Sequence, residues 1–198
     1  VGFIHCLASV FVFSKVSMIE AEPRGRTLYG GREVTLPQVV VFDLDNCCWT
    51  PELCDLKRGS PFKYNRETNE CIASDGQVVR LLEDVRNIWN SLISMPLFAD
   101  TQIAIASCCD NASWANELLS MFEVDSRGTK MANSVCCTQI QSGSKRYHFQ
   151  NISELLKVDF EDMIFFDDQL VNISDVSCLG VTAIHTPHGI TTSMFQEG

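Results

Sequence analysis

The chain has 198 residues, of which 45% are hydrophobic and 20% are charged. This length and composition fit one globular domain with a sizeable core and a short appendage, and they exclude a disordered protein. The formal net charge of -10 argues against nucleic acid as a partner, and no basic patch or arginine-rich run is visible.

The first 36 residues are predicted to be an N-terminal extension of a domain that covers residues 37–198. Residues 1–18 are largely apolar, but Lys15 interrupts the run. A membrane helix needs about 20 such residues, so no permanent membrane span is expected. The run fits a targeting segment whose start is missing, since the chain opens on Val1, and it equally fits a strand. Residues 20–37 are polar and rich in Gly and Arg, which predicts a linker or loose arm.

The first element of the domain is a short buried strand that ends in two carboxylates. Val39–Phe42 is an uncharged run with three valines, which is typical of a strand buried on both faces of a parallel sheet. Asp43 and Asp45 follow it with a spacing of two, so both side chains point the same way. Because ligands of open α/β sheets bind at the carboxyl ends of strands, this pair is a candidate nucleophile and acid/base neighbour.

The rest of the domain alternates between helical and strand patterns. Residues 51–76 show little periodicity and predict a long loop or a flap over the site. The predicted elements that follow are a helix over Val78–Ile93, a strand over Gln102–Ser107, a helix capped by Asp110 or Asn111, a strand over Ser134–Ile140, a helix from Ser142 to Leu156, a strand over Met163–Phe166, a helix from about Asn172 to Cys178 and a strand over Val181–His185. This alternation predicts an α/β fold, with right-handed crossovers and a parallel sheet.

Polar residues follow four of the predicted strands and are expected to meet at one edge of the sheet. They are Asp43 with Asp45, Ser107 with Cys108, Lys145, and Asp167 with Asp168. Two unit charges about 4 Å apart repel by about 4 kcal/mol at an effective dielectric near 20, so the carboxylates need a cation between them. Oxygen ligands favour Mg²⁺, and the predicted metal ligands are Asp43, Asp45, Asp167 and Asp168.

This set of residues fits phosphoryl transfer. Asp43 can act as a nucleophile that forms an aspartyl-phosphate, and Asp45 can protonate the leaving oxygen and then activate water. The predicted phosphate-binding residues are Ser107, Lys145 and Cys108. No glycine-rich phosphate loop is present in the sequence, which indicates removal of phosphate instead of nucleotide binding.

The motifs FDLD, Ser107, Lys145 and FFDD, in this order, resemble the four motifs of the haloacid dehalogenase (HAD) superfamily of aspartate-nucleophile phosphatases. More narrowly, FDLDNCCW, ANELLSMF, GSKxxHF and FFDDxxxNIxDV resemble the eukaryotic magnesium-dependent phosphatase family. The resemblance covers about Val39 to His185. It implies a three-layer Rossmann-like fold with helices on both faces of the sheet and no large cap domain. It also implies Mg²⁺-dependent hydrolysis of phosphomonoesters, with phosphotyrosine and sugar phosphates as substrates.

The resemblance also assigns Asn172 to a position that supports the metal-binding acidic pair. Two departures stand next to the motifs. The superfamily threonine after the second aspartate is Cys47 here, and the Arg-Thr that the family favours after Ser107 is Cys108-Cys109. We therefore expect activity with altered specificity, on a small phosphorylated metabolite or on phosphotyrosine.

The remaining hypotheses concern the class of the protein, its location and its oligomeric state. A catalytically silent phosphate- or phosphoprotein-binding module is the alternative function. A receiver domain is rejected because receivers carry their acidic pair on the first strand and their lysine on the last, whereas here the acidic pair Asp167 and Asp168 follows Lys145.

The ten cysteines include adjacent pairs and no C-x-x-C spacing, which predicts reduced thiols and a cytoplasmic location. Because Cys47-Cys48 and Cys108-Cys109 follow neighbouring strands, a redox switch near the site is a further hypothesis. An organellar location is the alternative if residues 1–20 are a targeting segment, and we expect a monomer.

Overall fold

The computed structural model describes residues 26–29 and 32–198, and the burial of side chains from residue 35 onward. The chain divides into two compact units, Val1–Thr35 and Leu36–Gly198. In the first unit, β1 (Arg26–Tyr29) pairs antiparallel with β2 (Arg32–Thr35), so a hairpin forms within the predicted loose arm. The predicted targeting segment, residues 1–20, lies outside the described residues.

The second unit contains strands and helices that alternate after an initial set of strands. In chain order they are β3 (Val39–Phe42), β4 (Trp49–Thr50), β5 (Lys63–Asn65), β6 (Glu70–Ile72), β7 (Val78–Leu81), α1 (Val85–Ser94), β8 (Gln102–Ser107), α2 (Ala112–Met121), β9 (Val135–Ile140), α3 (Lys145–Leu156), β10 (Met163–Asp167), α4 (Leu170–Ser177), β11 (Thr182–His185) and α5 (Thr192–Glu197). Across these residues, no helix has both the length and the apolar character needed to span a membrane.

The central sheet is parallel, with the strand order β11-β10-β3-β8-β9. Alternate residues of its middle strand enter two separate cores. Val40 and Phe42 pack in the core that contains the buried residues of α1 and α2. Val39 and Val41 pack in the core that contains those of α3 and α4. Helices therefore cover both faces, which confirms the predicted three-layer α/β fold.

A second, antiparallel sheet occupies the segment between β3 and α1, with the strand order β4-β7-β6-β5. Residues 51–76, predicted to be a long loop or a flap over the site, contain β5, β6 and their hairpin, so a long loop is wrong for this part, and the flap stays a prediction. The predicted helix over Val78–Ile93 is also wrong at its start: β7 pairs with β4 and β6, and α1 begins only at Val85. Apolar residues at 79 and 82 fit a helical stripe, but the strand pairing depends on distant residues.

The antiparallel sheet is fastened to α2. The ring of Phe62 meets the ring of Trp114 edge-on at 6.4 Å between centroids, and the Phe62 N–H donates to Glu117 Oε1 at 2.8 Å. Gly59 lies so close to the same indole that a Cβ at this position would overlap the Trp114 ring. The insertion, which is the segment between β3 and α1 with its antiparallel sheet, is thus held on α2 by close packing as well as by a hydrogen bond.

Candidate active site

The site begins with the order of the strands. Because β3 lies between β8 and β10, the residues at the ends of these three strands are neighbours at one edge of the sheet. These residues are Asp43, Ser107 and Asp167, and each is at most 6% exposed. The Asp43 N–H donates to the Phe166 carbonyl at 2.9 Å, which extends the pairing of β3 with β10 up to the first carboxylate.

Lys145 comes from a different layer and reaches the same point. It is the first residue of α3, and the hydroxyl of Ser144 caps that helix by accepting from the Arg146 N–H at 3.2 Å. Its Nζ lies 2.5 Å from Asp43 Oδ1 and 3.0 Å from Asp167 Oδ2. It also donates to the main-chain carbonyl of Ala106 at 2.5 Å. One buried cation thus joins three strand ends.

Three carboxylates form a group that could hold a metal ion. Ligand atoms of Asp43, Asp167 and Asp168 all lie within 4.8 Å of one another. The Oδ1 atom of Asp168 is buried and has no hydrogen-bond partner among the described residues. A buried carboxylate oxygen without a partner is costly unless it binds a cation. Since the donors are all oxygens, the group fits a hard divalent ion such as Mg²⁺.

The neighbours of the acidic pair fix its orientation. Asn172 Nδ2 donates to both carboxylate oxygens of Asp167, at 3.1 and 3.0 Å, and the Gln169 N–H donates to Oδ1 at 2.7 Å. Nε2 of His185 lies 2.9 Å from the Asp168 carbonyl. Asn172, predicted to support this pair, is therefore in direct contact with it.

Asp45 lies beside the acidic group, and its carboxylate is not part of it. Its Oδ1 accepts a hydrogen bond from Trp49 Nε1 at 2.6 Å, within the turn that follows β3. Burial raises the pKa of Asp45, while hydrogen bonds from Trp49 and from the Leu53 N–H oppose the rise. A carboxyl with a raised pKa is suited to donate a proton. Its assignment as a metal ligand stays a prediction.

Burial and mutual repulsion shift the pKa values of the group. Burial raises the pKa of Asp43 to about 7, against the attraction of Lys145, and the charge of Asp167 adds to the rise. Burial and the charge of Asp167 raise the pKa of Asp168 to about 6. Burial would lower the pKa of Lys145, but the carboxylates of Asp43 and Asp167 outweigh it and hold that pKa well above its usual range. The lysine therefore stays charged.

The cysteines around the site differ in access. Cys47 and Cys48 are fully buried and donate to main-chain carbonyls of Phe166 and Asp43, at 3.4 and 3.1 Å. Cys108 is exposed, and its thiol donates to the Gly143 carbonyl at 3.2 Å. Burial raises the pKa of both Cys48 and Cys108, which keeps them as thiols and weakens them as nucleophiles. The nine cysteines among the described residues are all free.

Two contacts at the site were missed by reasoning from the sequence. Trp49 Nε1 holds Asp45, although its spacing of four from that residue could have indicated a closed turn. Glu52 accepts from Asn46 Nδ2 at 2.6 Å and stands beside Asp45, but nothing in the pattern of residues 51–56 marks it. Of the predicted residues, the structure brings Asp43, Lys145 and the Asp167/Asp168 pair together.

Comparisons with known proteins agree with this geometry. The family model described as Acid Phosphatase matches residues 35–198. Human magnesium-dependent phosphatase 1 is 33% identical over 165 residues, covering 82% of this chain and 85% of the human protein. A HAD-like hydrolase superfamily protein of Schizosaccharomyces pombe is 28% identical over 154 residues, covering 76% of this chain and 86% of its own length.

Among solved structures, a HAD family enzyme of Bacteroides thetaiotaomicron, in complex with magnesium and inorganic phosphate, has a TM-score of 0.54 at 10% identity. The alignment covers 79% of this chain and 98% of that enzyme, and at this identity it supports the fold alone. The fold and the acidic group thus define a phosphatase of the HAD type. The chain belongs to the acid phosphatase family, and it resembles the magnesium-dependent phosphatases within that superfamily, as the four motifs predict.

Proposed function

We propose that this protein is a Mg²⁺-dependent phosphomonoester hydrolase whose nucleophile is Asp43. The observation that carries the proposal is the contact of one buried lysine with two carboxylates of a three-carboxylate group. Asp43, Asp167 and Asp168 would hold the ion. When bound, Mg²⁺ supplies positive charge that neutralises the phosphoryl oxygens.

In the first half-reaction, an oxygen of Asp43 attacks phosphorus and forms an aspartyl-phosphate. The ester P–O bond breaks, and Asp45 gives its proton to the leaving oxygen. The raised pKa of Asp45 supports this role, because the acid must carry a proton near neutral pH. Ser107 and Lys145 are proposed to bind phosphoryl oxygens, with Cys108 at the edge of the same site.

In the second half-reaction, Asp45 takes a proton from a water molecule that attacks phosphorus. The bond between phosphorus and Asp43 breaks, inorganic phosphate leaves, and both aspartates return to their starting states. Lys145 keeps its charge throughout and balances the carboxylates that surround it. Asn172 is a positioning residue, since it holds Asp167 and not the substrate.

We place this activity in residues 37–198, acting as a monomer in a reducing compartment such as the cytoplasm. For substrates we propose phosphotyrosine and sugar phosphates, on the basis of the resemblance to magnesium-dependent phosphatases. The human relative shares 33% identity over most of both chains, which supports the same reaction more firmly than the same substrate.

The test is hydrolysis of p-nitrophenyl phosphate, phosphotyrosine and a panel of sugar phosphates by the purified protein, with Mg²⁺ and with a chelator. We expect turnover that requires Mg²⁺ and falls at least about a thousandfold in Asp43→Asn. Asp159→Asn, at an exposed position, is the matched control and should retain activity. If the wild-type protein binds phosphate but hydrolyses nothing on the panel, it is the silent binding module and the proposal is wrong.

A further inference from the structure

Glu52 is a carboxylate that the hydrolytic mechanism does not use. It lies in the segment between β4 and β5, and it is half-buried. Asn46 Nδ2 donates to its Oε1 at 2.6 Å, and the Cys54 thiol donates to its Oε2 at 3.3 Å. Both partners are neutral, and no ion pair to Glu52 is found among the described residues. Its position is thus fixed while its charge is not compensated.

This carboxylate stands close to the proposed general acid. Its hydrogen-bond donor, Asn46, directly follows Asp45 in the chain, so this bond holds the Glu52 carboxylate next to the turn that carries Asp45. After burial, the charge of Glu52 is among the causes that raise the pKa of Asp45, and it acts in the same direction on Asp168. The hydrogen bond from Asn46 and the effect of the Glu52 charge on Asp45 both place the Glu52 carboxylate near Asp45.

The lysine of the acidic group does not form an ion pair with Glu52. Lys145 is buried and engaged by Asp43 and Asp167. The exposed residues after Ser107 are Cys108 and Asp110, and the charge of Asp110 contributes to the raised pKa of Cys108. Glu52 and Asp110 therefore both add negative charge near the site, whereas Lys145 is already engaged by two carboxylates.

We propose that Glu52 is a specificity-determining residue, which selects phosphomonoesters with a cationic leaving group over those with an anionic one. The inference rests on the proposed function, because Asp45 must meet the leaving oxygen for Glu52 to lie near the rest of that group. A positive charge on the leaving alcohol is attracted by the carboxylate, and a negative charge is repelled in a site from which water is partly excluded.

The experiment compares two substrates with two-carbon leaving groups of opposite charge, O-phosphoethanolamine and 2-phosphoglycolate. We measure kcat/KM for each, in wild type and in Glu52→Gln, which removes the charge and keeps an oxygen for Asn46. Wild type should prefer phosphoethanolamine. In Glu52→Gln the ratio of the two values should fall about tenfold, mainly through KM, and added salt should lower the wild-type ratio as well.

Glu161→Gln is the matched control, since it removes the same charge at an exposed position just before β10, where that strand starts rather than where it ends. It should leave the ratio unchanged, and thermal melts should show that both variants fold. A wild-type preference for phosphoglycolate, or an unchanged ratio in Glu52→Gln, overturns the inference while hydrolysis itself persists. Equal losses of kcat/KM for both substrates in Glu52→Gln would mean that Glu52 only stabilises the turn through its hydrogen bond with Asn46, which also overturns the inference. A wild type without Mg²⁺-dependent turnover would instead defeat the proposed function, and this inference with it.

Discussion

The two sheets of the second unit contribute different residues to the candidate site. The parallel sheet brings Asp43 and Asp167 to the ends of adjacent strands, where Lys145 joins them. The antiparallel sheet contributes no carboxylate to this group among the described residues, but the segment between its first two strands carries Glu52. On the proposed function and the proposed role of Glu52, substitutions in the parallel sheet should reduce hydrolysis of every substrate, whereas substitution of Glu52 should change the choice between substrates.

The largest effect is expected from Asp45→Asn, which removes proton donation and keeps an oxygen for Trp49. For an alkyl phosphate, kcat/KM should fall about a thousandfold, because an alkoxide leaves poorly without a proton. For p-nitrophenyl phosphate the loss should be about tenfold, since nitrophenolate leaves without help. Steady-state kinetics with both substrates checks the difference. Glu154→Gln, on the exposed face of α3, is the charge control, and equal losses for both substrates would contradict the acid role.

Next in size is the effect of Lys145→Met on the parallel sheet. Removal of a buried cation leaves Asp43 and Asp167 facing each other without compensation, and we expect a loss of about 3 kcal/mol in the free energy of unfolding. Urea denaturation without divalent ions measures it. Lys63→Met removes an exposed lysine of β5 in the antiparallel sheet and should change the same quantity by less than about 0.5 kcal/mol. Similar losses of unfolding free energy in the two variants would contradict the expected difference between the two sheets.

Gly59→Ala tests the insertion and leaves the acidic group untouched. The added methyl overlaps the indole of Trp114, so the sheet must shift on α2 at a cost of about 2 kcal/mol in unfolding free energy. Thermal or urea unfolding measures the loss, and Ser60→Ala, at the exposed neighbouring position, is the control. Unchanged stability in Gly59→Ala would mean that this contact is looser than its geometry indicates.

The smallest effect is expected for His148, a buried residue of α3. Burial and the charge of Lys145 lower its pKa from 6.5 to about 4, so the unfolded chain binds more protons than the folded one as the pH falls through this range. Its contribution to stability is therefore present above pH 6.5 and is lost on acidification. Between about pH 7 and pH 5.5, wild type should lose about 1 kcal/mol more unfolding free energy than His148→Met. Parallel pH curves for the two proteins would contradict this.

Much of the parallel sheet could be predicted because local runs of apolar residues mark its strands. Val39–Phe42 and Gln102–Ser107 are buried runs whose bounds in the structure are the predicted ones. The antiparallel sheet gave no such signal, since its strands are short, largely polar and stabilised by partners far along the chain. Val79 shows the ambiguity: it is buried in β7, yet its spacing to Leu82 and Val85 also fits a helix.

The residues of the candidate site also differ in how well the sequence predicts them. Asp43, Lys145 and the Asp167/Asp168 pair could be found because each follows or opens a recognisable element in a known order. Glu52 could not, because its place depends on a hydrogen bond from Asn46, and Asn46 adopts a left-handed backbone with φ of 55° in a turn that no pattern specified. Side chains placed by turns are harder to predict than side chains placed by strands.

The contact of the Lys145 ammonium group with both Asp43 and Asp167 has a consequence for the nascent chain on the ribosome. More than a hundred positions separate Asp43 from Lys145, and β10 is made later still. A nascent chain in which β10 has not yet been made lacks Asp167 and Asp168, so Lys145 has only Asp43 of this group as an acidic partner. The acidic group can therefore assemble only after β10 has been made, and a chain terminated before β10 should be inert toward phosphate esters.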